Sequence, residues 1–148
     1  MKRSCGECSA CCTVVGVDDL PTPKGTWTRC DHERAGGGCS IYAERPRSCR
    51  RYQCAWLLGL GSDADRPDRI GIVADPWRPP DGGELGLHLR EVWPGAATDV
   101  AIHRLLGPLH AVMEGLVAVV VQQGRHPRRV IGDVARLRRI AAAVQSSA

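Results

Sequence analysis

Aromatic residues are scarce in this sequence, and long apolar runs are missing. The 148 residues include no Phe, only 2 Tyr and 4 Trp, so a core must depend on aliphatic side chains. No stretch reaches the roughly 18 apolar residues that a membrane-spanning helix needs. The basic start at Lys2 and Arg3 is followed by no apolar segment of the kind found in secretory signals. The sequence therefore predicts a cytoplasmic protein with no membrane partner.

Cysteine is missing after Cys54. All 8 cysteines lie between Cys5 and Cys54, whereas a general preference for buried thiols would scatter them along the chain. Because disulfides persist mainly in exported proteins, the lack of a secretory signal favours metal binding over disulfide formation. We therefore expect residues 1–58 to form a metal-binding region and residues 59–148 to pack on it, within one compact domain.

A strong charge of one sign is also missing, since the formal net charge is only +4. This value does not by itself indicate a nucleic-acid partner. The segment from Arg125 to Arg139 contains six arginines and one aspartate, so it is a candidate surface for nucleic acid or an acidic partner. The alternative is a solvated helix face. No aromatic residue follows Trp93, which disfavours the stacking of single-stranded bases.

The cysteine-rich region has few signals of regular structure. Residues 1–12 are too rich in Cys, Gly and Ser for a regular element, and residues 13–17 predict a short strand. Residues 18–39 predict an irregular loop of a length that compact domains rarely contain unless something, such as a bound metal, holds it in place. Pro46 suits the first turn of a helix, which we predict over residues 46–58.

The cysteine-free region has the patterns of strands and helices. Residues 84–93 alternate, which predicts a half-buried strand with Leu87 and Leu89 facing the core and His88 facing outwards. The β-branched run at 116–121 predicts a buried strand, with which residues 128–131 could pair. A further apolar run at 70–74 and helical periodicity over 98–114 and 133–144 complete the pattern. The predicted fold class is α+β.

The spacing of the cysteines is that of metal ligands. The run from Cys5 to Cys12 reads C-x2-C-x2-C-C, and two residues between thiolates let both sulfur atoms reach one metal across a tight turn. Thiolates are soft ligands that select zinc, copper(I) or iron–sulfur clusters. Because neighbouring side chains diverge, Cys11 and Cys12 are awkward as a chelating pair on one tetrahedral ion, and one of them can bridge or serve a second metal. The predicted ligands are Cys5, Cys8, Cys11, Cys12, Cys30, Cys39, Cys49 and Cys54.

The residues alone leave several metal sites open. These are one four-cysteine site with spare thiols, two zinc sites of four cysteines each, and an iron–sulfur cluster with or without a second metal. The C-x2-C-x2-C run is similar to one arm of bacterial ferredoxins, but an immediate Cys12 replaces their x3-C-P continuation. His32 follows Cys30 closely enough to substitute as a ligand, although an exposed loop histidine is the simpler interpretation.

Two segments carry a family resemblance. They read C-G-E-C-S-A-C-C from Cys5 to Cys12 and C-S-I-Y-A-E-R-P-R-S-C-R from Cys39 to Arg50. Together they resemble the bacterial CxxCxxCC cysteine-cluster family, the YkgJ-like group described as zinc- or iron-chelating proteins. The resemblance covers roughly residues 5–58 and implies binding of a metal or cluster, without implying a settled reaction. A related segment occurs in flagellin lysine methylases.

These observations lead to three hypotheses. The first is a metal-binding protein that holds zinc or an iron–sulfur cluster, with Arg45 and Arg50 donating hydrogen bonds to ligand sulfur atoms. The alternative for both arginines is a plain surface position. The second hypothesis is an iron–sulfur redox or modification enzyme, and the third is a zinc-stapled module for nucleic acid or an acidic partner. No catalytic residue is predicted, because no H-E-x-x-H, nucleophile elbow or phosphate loop is present.

Overall fold

A computed structural model describes residues 2–77, 86–102, 104–105, 118–124 and 126–132, the last range by its backbone. No helix in these ranges is both long and apolar enough to cross a membrane. Two short 3-10 helices cover Tyr42–Glu44 and Asp63–Asp65. The other elements of the described part are α1 (Ala10–Val14), α2 (Arg47–Arg51), α3 (Pro67–Ile70), β1 (Ile72–Trp77), β2 (Gly86–Glu91), β3 (Ala118–Gln123) and β4 (His126–Gly132).

The four strands form one mixed sheet in the order β1-β2-β3-β4. The outer pairs, β1–β2 and β3–β4, are antiparallel, whereas β2 and β3 are parallel. Within the described residues, β3 confirms the predicted strand over 118–121, and its ladder with β4 confirms the predicted pairing with residues 128–131. A mixed sheet combined with short helices makes the described part of the chain α+β, in agreement with the predicted fold class.

One face of the sheet carries the main aliphatic core. Alternate residues of β1, β2 and β3 point to this face, because successive side chains of a strand lie on opposite sides. They include Ile72, Leu89 and Val121, which are at most 1% exposed. Each such side chain contributes roughly 1.5–3 kcal/mol on burial. The side chains that cover this face come from the segment before β1 and the segment after β2 along the chain: Ala55, Ala96, Ala97, Ile102 and Leu105.

The opposite face of β1 receives the cysteine-rich region. Val73 is fully buried in a second cluster with Ala10 and Val14 of α1, and with Cys54 and Trp56. The indole Nε1 of Trp27 donates a hydrogen bond to the Glu91 carbonyl oxygen at 3.2 Å. This bond ties the long loop, residues 18–39, to β2. The sheet is therefore the platform on which the cysteine-rich region is held.

Two predictions for the cysteine-rich region are wrong. The sequence predicts irregular structure at residues 1–12 and a strand at 13–17, whereas Ala10–Val14 form helix α1. Ala10 and Val14 lie one turn apart and are both buried against Val73. This tertiary burial outweighs the β propensity of valine. The helix predicted over 46–58 covers only Arg47–Arg51. Beyond it the chain is extended at Tyr52, and the Ala55 amide donates a hydrogen bond to the Ala74 carbonyl at 2.7 Å.

The prediction that His88 faces outwards into solvent is also wrong. Its side chain is only 4% exposed, and its Nε2 lies 2.6 Å from Oε1 of Gln122 on β3. The alternation of β2 is as predicted, but both of its faces are covered, so the polar positions are buried too. Helical backbone is confirmed at residues 99–102 and 104–105, with Thr98 Oγ1 accepting from the Ala101 amide at 3.2 Å. The rest of the predicted 98–114 helix and the helix over 133–144 lie outside the described residues.

Candidate metal centre

Seven of the eight cysteines line one cavity of about 280 Å³. They come from separate parts of the chain: the N-terminal turn, α1, the long loop and α2. Cys54 is not part of the cavity wall and is instead buried in the cluster against which Cys8 packs. All eight are free thiols. The residues of the wall are Cys5, Cys8, Cys11, Cys12, Cys30, Cys39 and Cys49.

A tight turn and α1 position the first four thiols. The Cys8 amide donates to the Cys5 carbonyl at 2.8 Å, and the turn between them passes through Gly6 at a φ of 53°. Such a left-handed conformation favours glycine. The Cys12 amide then donates to the Ser9 carbonyl at 2.9 Å as α1 begins. The predicted convergence of the C-x2-C-x2-C run across a turn thus corresponds to a turn followed directly by a helix.

The long loop brings its two cysteines to the first group. The Cys30 amide donates to the Cys12 carbonyl at 3.1 Å, and Glu33 pairs with Cys39 as an isolated antiparallel bridge. Gly37 has a φ of 105°, and a Cβ there would overlap the carbonyl oxygen of Glu7. Glycine is therefore required where the loop crosses the N-terminal turn.

Helix α2 carries Cys49 to the cavity. Its first turn is capped from a distant part of the chain, because the Ser48 amide donates to Asp19 Oδ2 at 2.9 Å and the Ser48 hydroxyl donates to Oδ1. These hydrogen bonds lower the pKa of Asp19. Arg50 is exposed on this helix and is not part of the cavity wall, so its predicted hydrogen bond to a ligand sulfur stays a prediction.

Two cations line the cavity together with the thiols. Lys24 is only 6% exposed, and its Nζ donates to the carbonyl oxygens of Val15 at 2.6 Å and Gly25 at 3.1 Å. Arg45 stacks on Tyr42, with 3.8 Å between the guanidinium carbon and the ring centre. Within the described part of the chain, the buried Nε and Nη1 of Arg45 have no hydrogen-bond partner. The cavity therefore offers positive charge and unused donors to an anionic occupant.

Burial and neighbouring thiols shift the cysteine pKa values. Burial raises the pKa of Cys8 to about 11. A hydrogen bond with Cys11 lowers the pKa of Cys12 to about 7, and the same bond together with burial raises that of Cys11. Burial also lowers the pKa of Lys24, against the attraction of nearby thiolates. The two adjacent thiols therefore titrate as one hydrogen-bonded pair.

Several polar residues around the cavity were missed by sequence reasoning. Lys24 lies in a loop without periodicity, so no pattern singles it out. The Cys8 thiol is within hydrogen-bonding reach of the Asp68 carboxylate, which Arg66 also binds at 2.6 and 2.8 Å. Tyr52 lines the cavity and its hydroxyl donates to Asp75.

The donor atoms of the cavity wall decide which metal or cluster it could hold. Its donors are seven thiols and His32, and no carboxylate belongs to its wall among the described residues, which suits soft metals rather than Ca²⁺ or Mg²⁺. No three His, Cys, Asp or Glu side chains in the described ranges already converge as a formed metal site. A zinc ion bound at about 2.3 Å would need four sulfur atoms about 3.8 Å apart. The donor chemistry therefore fits a soft metal or a cluster.

Known proteins give no match to this chain, whether the comparison is with family models, curated proteins or solved structures. The resemblance to the CxxCxxCC family therefore depends on the two cysteine segments alone.

Proposed function

We propose that this protein binds zinc or an iron–sulfur cluster through its clustered cysteine thiolates. The observation that carries the proposal is the meeting of seven cysteines, from distant parts of the chain, around one cavity. Thiols packed only as small apolar side chains would have no reason to share a wall with a buried lysine and an arginine. The motif resemblance to zinc- or iron-chelating proteins supports the same function.

The electrostatics of the wall support an anionic occupant. Four thiolates on one Zn²⁺, or on an oxidised four-iron cluster, give a net charge of about −2. Lys24 and Arg45 would offset that charge. Buried donors without partners cost about 1–3 kcal/mol each, so a sulfur acceptor near Arg45 Nε and Nη1 would remove a penalty that the described residues leave in place.

The long loop gives a second reason for a bound metal. Apart from the bridge between Val17 and Lys24 and the one between Glu33 and Cys39, residues 17–40 form no strand pairing, and no helix lies there. Backbone ordering costs about 1–2 kcal/mol per residue, and few apolar side chains of this loop are buried. Metal binding supplies folding free energy of the size that such a segment needs.

An iron–sulfur redox or modification enzyme is the second candidate. The cavity of about 280 Å³ is much larger than one ion with its thiolates requires, which favours a polynuclear cluster or more than one ion. The third hypothesis, a nucleic-acid module, concerns the segment from Arg125 to Arg139, most of which lies outside the described residues.

Cysteine substitution tests the proposed ligands. Cys8→Ser and Cys49→Ser should each lower the metal content of protein purified under anaerobic conditions, because each removes one thiolate. Ser40→Ala is the matched control, since residue 40 adjoins Cys39 and is exposed. Full metal retention in both cysteine variants would contradict the ligand assignment, and equal loss in the control would point to general unfolding.

A further inference from the structure

Helix α2 carries three arginines on its outer face. Residues at positions i, i+3 and i+4 of a helix are neighbours on its surface, so Arg47, Arg50 and Arg51 project together, and all three are exposed. At about 100° per residue, Cys49 projects to the opposite side of the helix, where it lines the cavity. Helix α2 is therefore the wall between the cavity and this arginine face.

No ion pair with another described residue neutralises the arginine face. The arginines that form ion pairs in the described ranges lie elsewhere: Arg29, Arg66, Arg90 and Arg104. Like charges at positions i and i+4 destabilise a helix, and Arg47 and Arg51 have this spacing. The grouping is therefore unfavourable for the protein alone and becomes favourable beside an external negative charge.

An aromatic ring and two carboxylates lie close to the arginine face. Tyr42 lines the cavity together with Ser48 of α2, and its side chain is 40% exposed. Tyrosine and arginine are the residue types that dominate binding at protein interfaces. Asp19 bonds to Ser48 in the first turn of α2, and Glu44 is exposed shortly before the helix. These carboxylates would repel the phosphates of a nucleic acid, so the surface fits an acidic protein better.

We infer that the arginine face of α2 docks a protein that presents a cluster of carboxylates. A helix with its side chains is about 10–12 Å across, so a partner bound there lies about one helix diameter from the cavity. The inference depends on the proposed function, because it makes this protein a partner of the metal or cluster behind α2. Complementary charges of this kind mainly speed association, and salt weakens them.

Binding of an acidic probe tests the docking site. A short, fluorescently labelled peptide of glutamates is titrated with the full-length chain at low salt, and fluorescence anisotropy measures the Kd. Arg47→Gln combined with Arg51→Gln should weaken binding about tenfold, the size expected when two exposed ion pairs are lost. The matched control, Lys2→Gln combined with Arg34→Gln, removes the same charge from exposed positions outside α2 and should have a much smaller effect.

A labelled DNA duplex is the second probe, and it separates an acidic protein from a nucleic acid as the partner. Its binding should change to the same extent in the two paired variants, because its phosphates do not select the arginine face. A larger loss of DNA binding than of peptide binding on substitution of Arg47 and Arg51 would overturn the inference. So would equal weakening of peptide binding in the two paired variants, or the lack of saturable peptide binding by the wild type.

Metal content distinguishes the failure of this inference from the failure of the proposed function. Both paired variants should retain the metal content of the wild type, because Arg47 and Arg51 project away from the cavity. Metal loss confined to the variant of these two arginines would place them at the metal site and overturn the docking role. A wild type that binds neither zinc nor an iron–sulfur cluster would contradict the proposed function, whatever the peptide titration shows.

Discussion

Two cations, Lys24 and Arg45, share the wall of the cavity with seven thiols. Their roles differ, because two donors of Lys24 are used by backbone carbonyls while two buried donors of Arg45 have no partner in the described part of the chain. Stacking on Tyr42 fixes the plane of the guanidinium. At the scale of the residue, Arg45 is thus the side chain best prepared to bind a ligand sulfur.

Substitution of Arg45 tests this role. Arg45→Gln should weaken metal binding by about 10–100-fold, the range typical for residues that orient or tune metal ligands, because it removes the positive charge and the guanidinium fork. Competition against a chelator of known affinity measures the change. Arg50→Gln is the matched control, since Arg50 is exposed outside the cavity. Equal weakening in both variants would mean that only the net charge of the protein matters.

A buried histidine makes stability depend on pH. Burial lowers the pKa of His88 from its ordinary 6.5 to about 4, although the hydrogen bond with Gln122 opposes the shift. The unfolded state therefore takes up a proton near pH 6.5 that the folded state refuses until about pH 4. The free energy of unfolding should fall between these pH values as the pH is lowered, by up to about 3 kcal/mol.

Chemical denaturation at several pH values measures this effect. His88→Gln should have a flatter dependence between pH 6.5 and 4 than the wild type, because the shifted group is gone. Since the carboxylates titrate equally in both proteins, the difference between the two curves isolates the contribution of His88. Parallel curves would contradict the assigned cause.

At the scale of the element, the long loop needs glycine where it crosses the N-terminal turn. Gly36 and Gly37 both have positive φ values, of 87° and 105°. A Cβ at Gly36 would meet open space, whereas one at Gly37 would overlap the Glu7 carbonyl oxygen. Substitutions at the two positions can therefore be compared: both introduce backbone strain, and only the one at Gly37 also introduces a steric overlap.

Alanine at each position should destabilise the protein to different extents. Gly36→Ala should cost on the order of 1 kcal/mol through its left-handed conformation alone. Gly37→Ala should cost more and should also lower the metal content, because the loop with Cys30 and Cys39 must move away from the N-terminal turn. Thermal unfolding and metal analysis measure both effects. Equal costs and equal metal contents would show that the crossing is not needed for the site.

Sequence patterns predicted the elements of the sheet well, for a physical reason. The strands have alternating or β-branched residues whose pattern agrees with their burial in the sheet, and β2, β3 and β4 lie where the patterns indicate. The predicted strand at 13–17 was wrong because Val14 is buried as part of a helix on Val73. The predicted helix over 46–58 was too long because Ala55 bonds to the sheet edge instead. Both errors come from tertiary contacts that local propensity does not contain.

The candidate site shows the same limit at the scale of the whole molecule. Spacing singled out all eight cysteines, because ligand pairs recur at short intervals. It could not show that Cys54 lies outside the cavity wall, that Lys24 belongs to it, or that Arg50 does not. Those positions depend on how the long loop, α2 and β1 pack, and Lys24 in particular is one charged residue in a segment without a pattern.

Metal removal should loosen the cysteine-rich region before the sheet. The loop bearing Trp27 is anchored to β2 by one indole hydrogen bond, whereas β1, β2 and β3 share an aliphatic core. A strong chelator should therefore change the Trp fluorescence and make the thiols reactive while the amides of β2 and β3 stay protected from hydrogen exchange. A bound ligand at 1,000 times its Kd contributes about 4 kcal/mol, so the midpoint of denaturation should fall as well.

If the amides of the cysteine-rich region and those of the sheet lost their protection from hydrogen exchange at the same rate, this order would be contradicted. A chelator that changes neither thiol reactivity nor fluorescence would show that the region folds without a metal.

The metal and acid-labile sulfide content of the anaerobically purified, full-length chain tests the central claim most directly. Cells should be grown with sufficient iron and zinc, and the purified protein should be assayed for zinc, iron, sulfide and visible absorbance. The account predicts bound metal, either colourless protein with stoichiometric zinc or brown protein with iron and sulfide in similar amounts. Protein that contains neither, and that takes up neither Zn²⁺ nor iron with sulfide under reducing conditions, would contradict it.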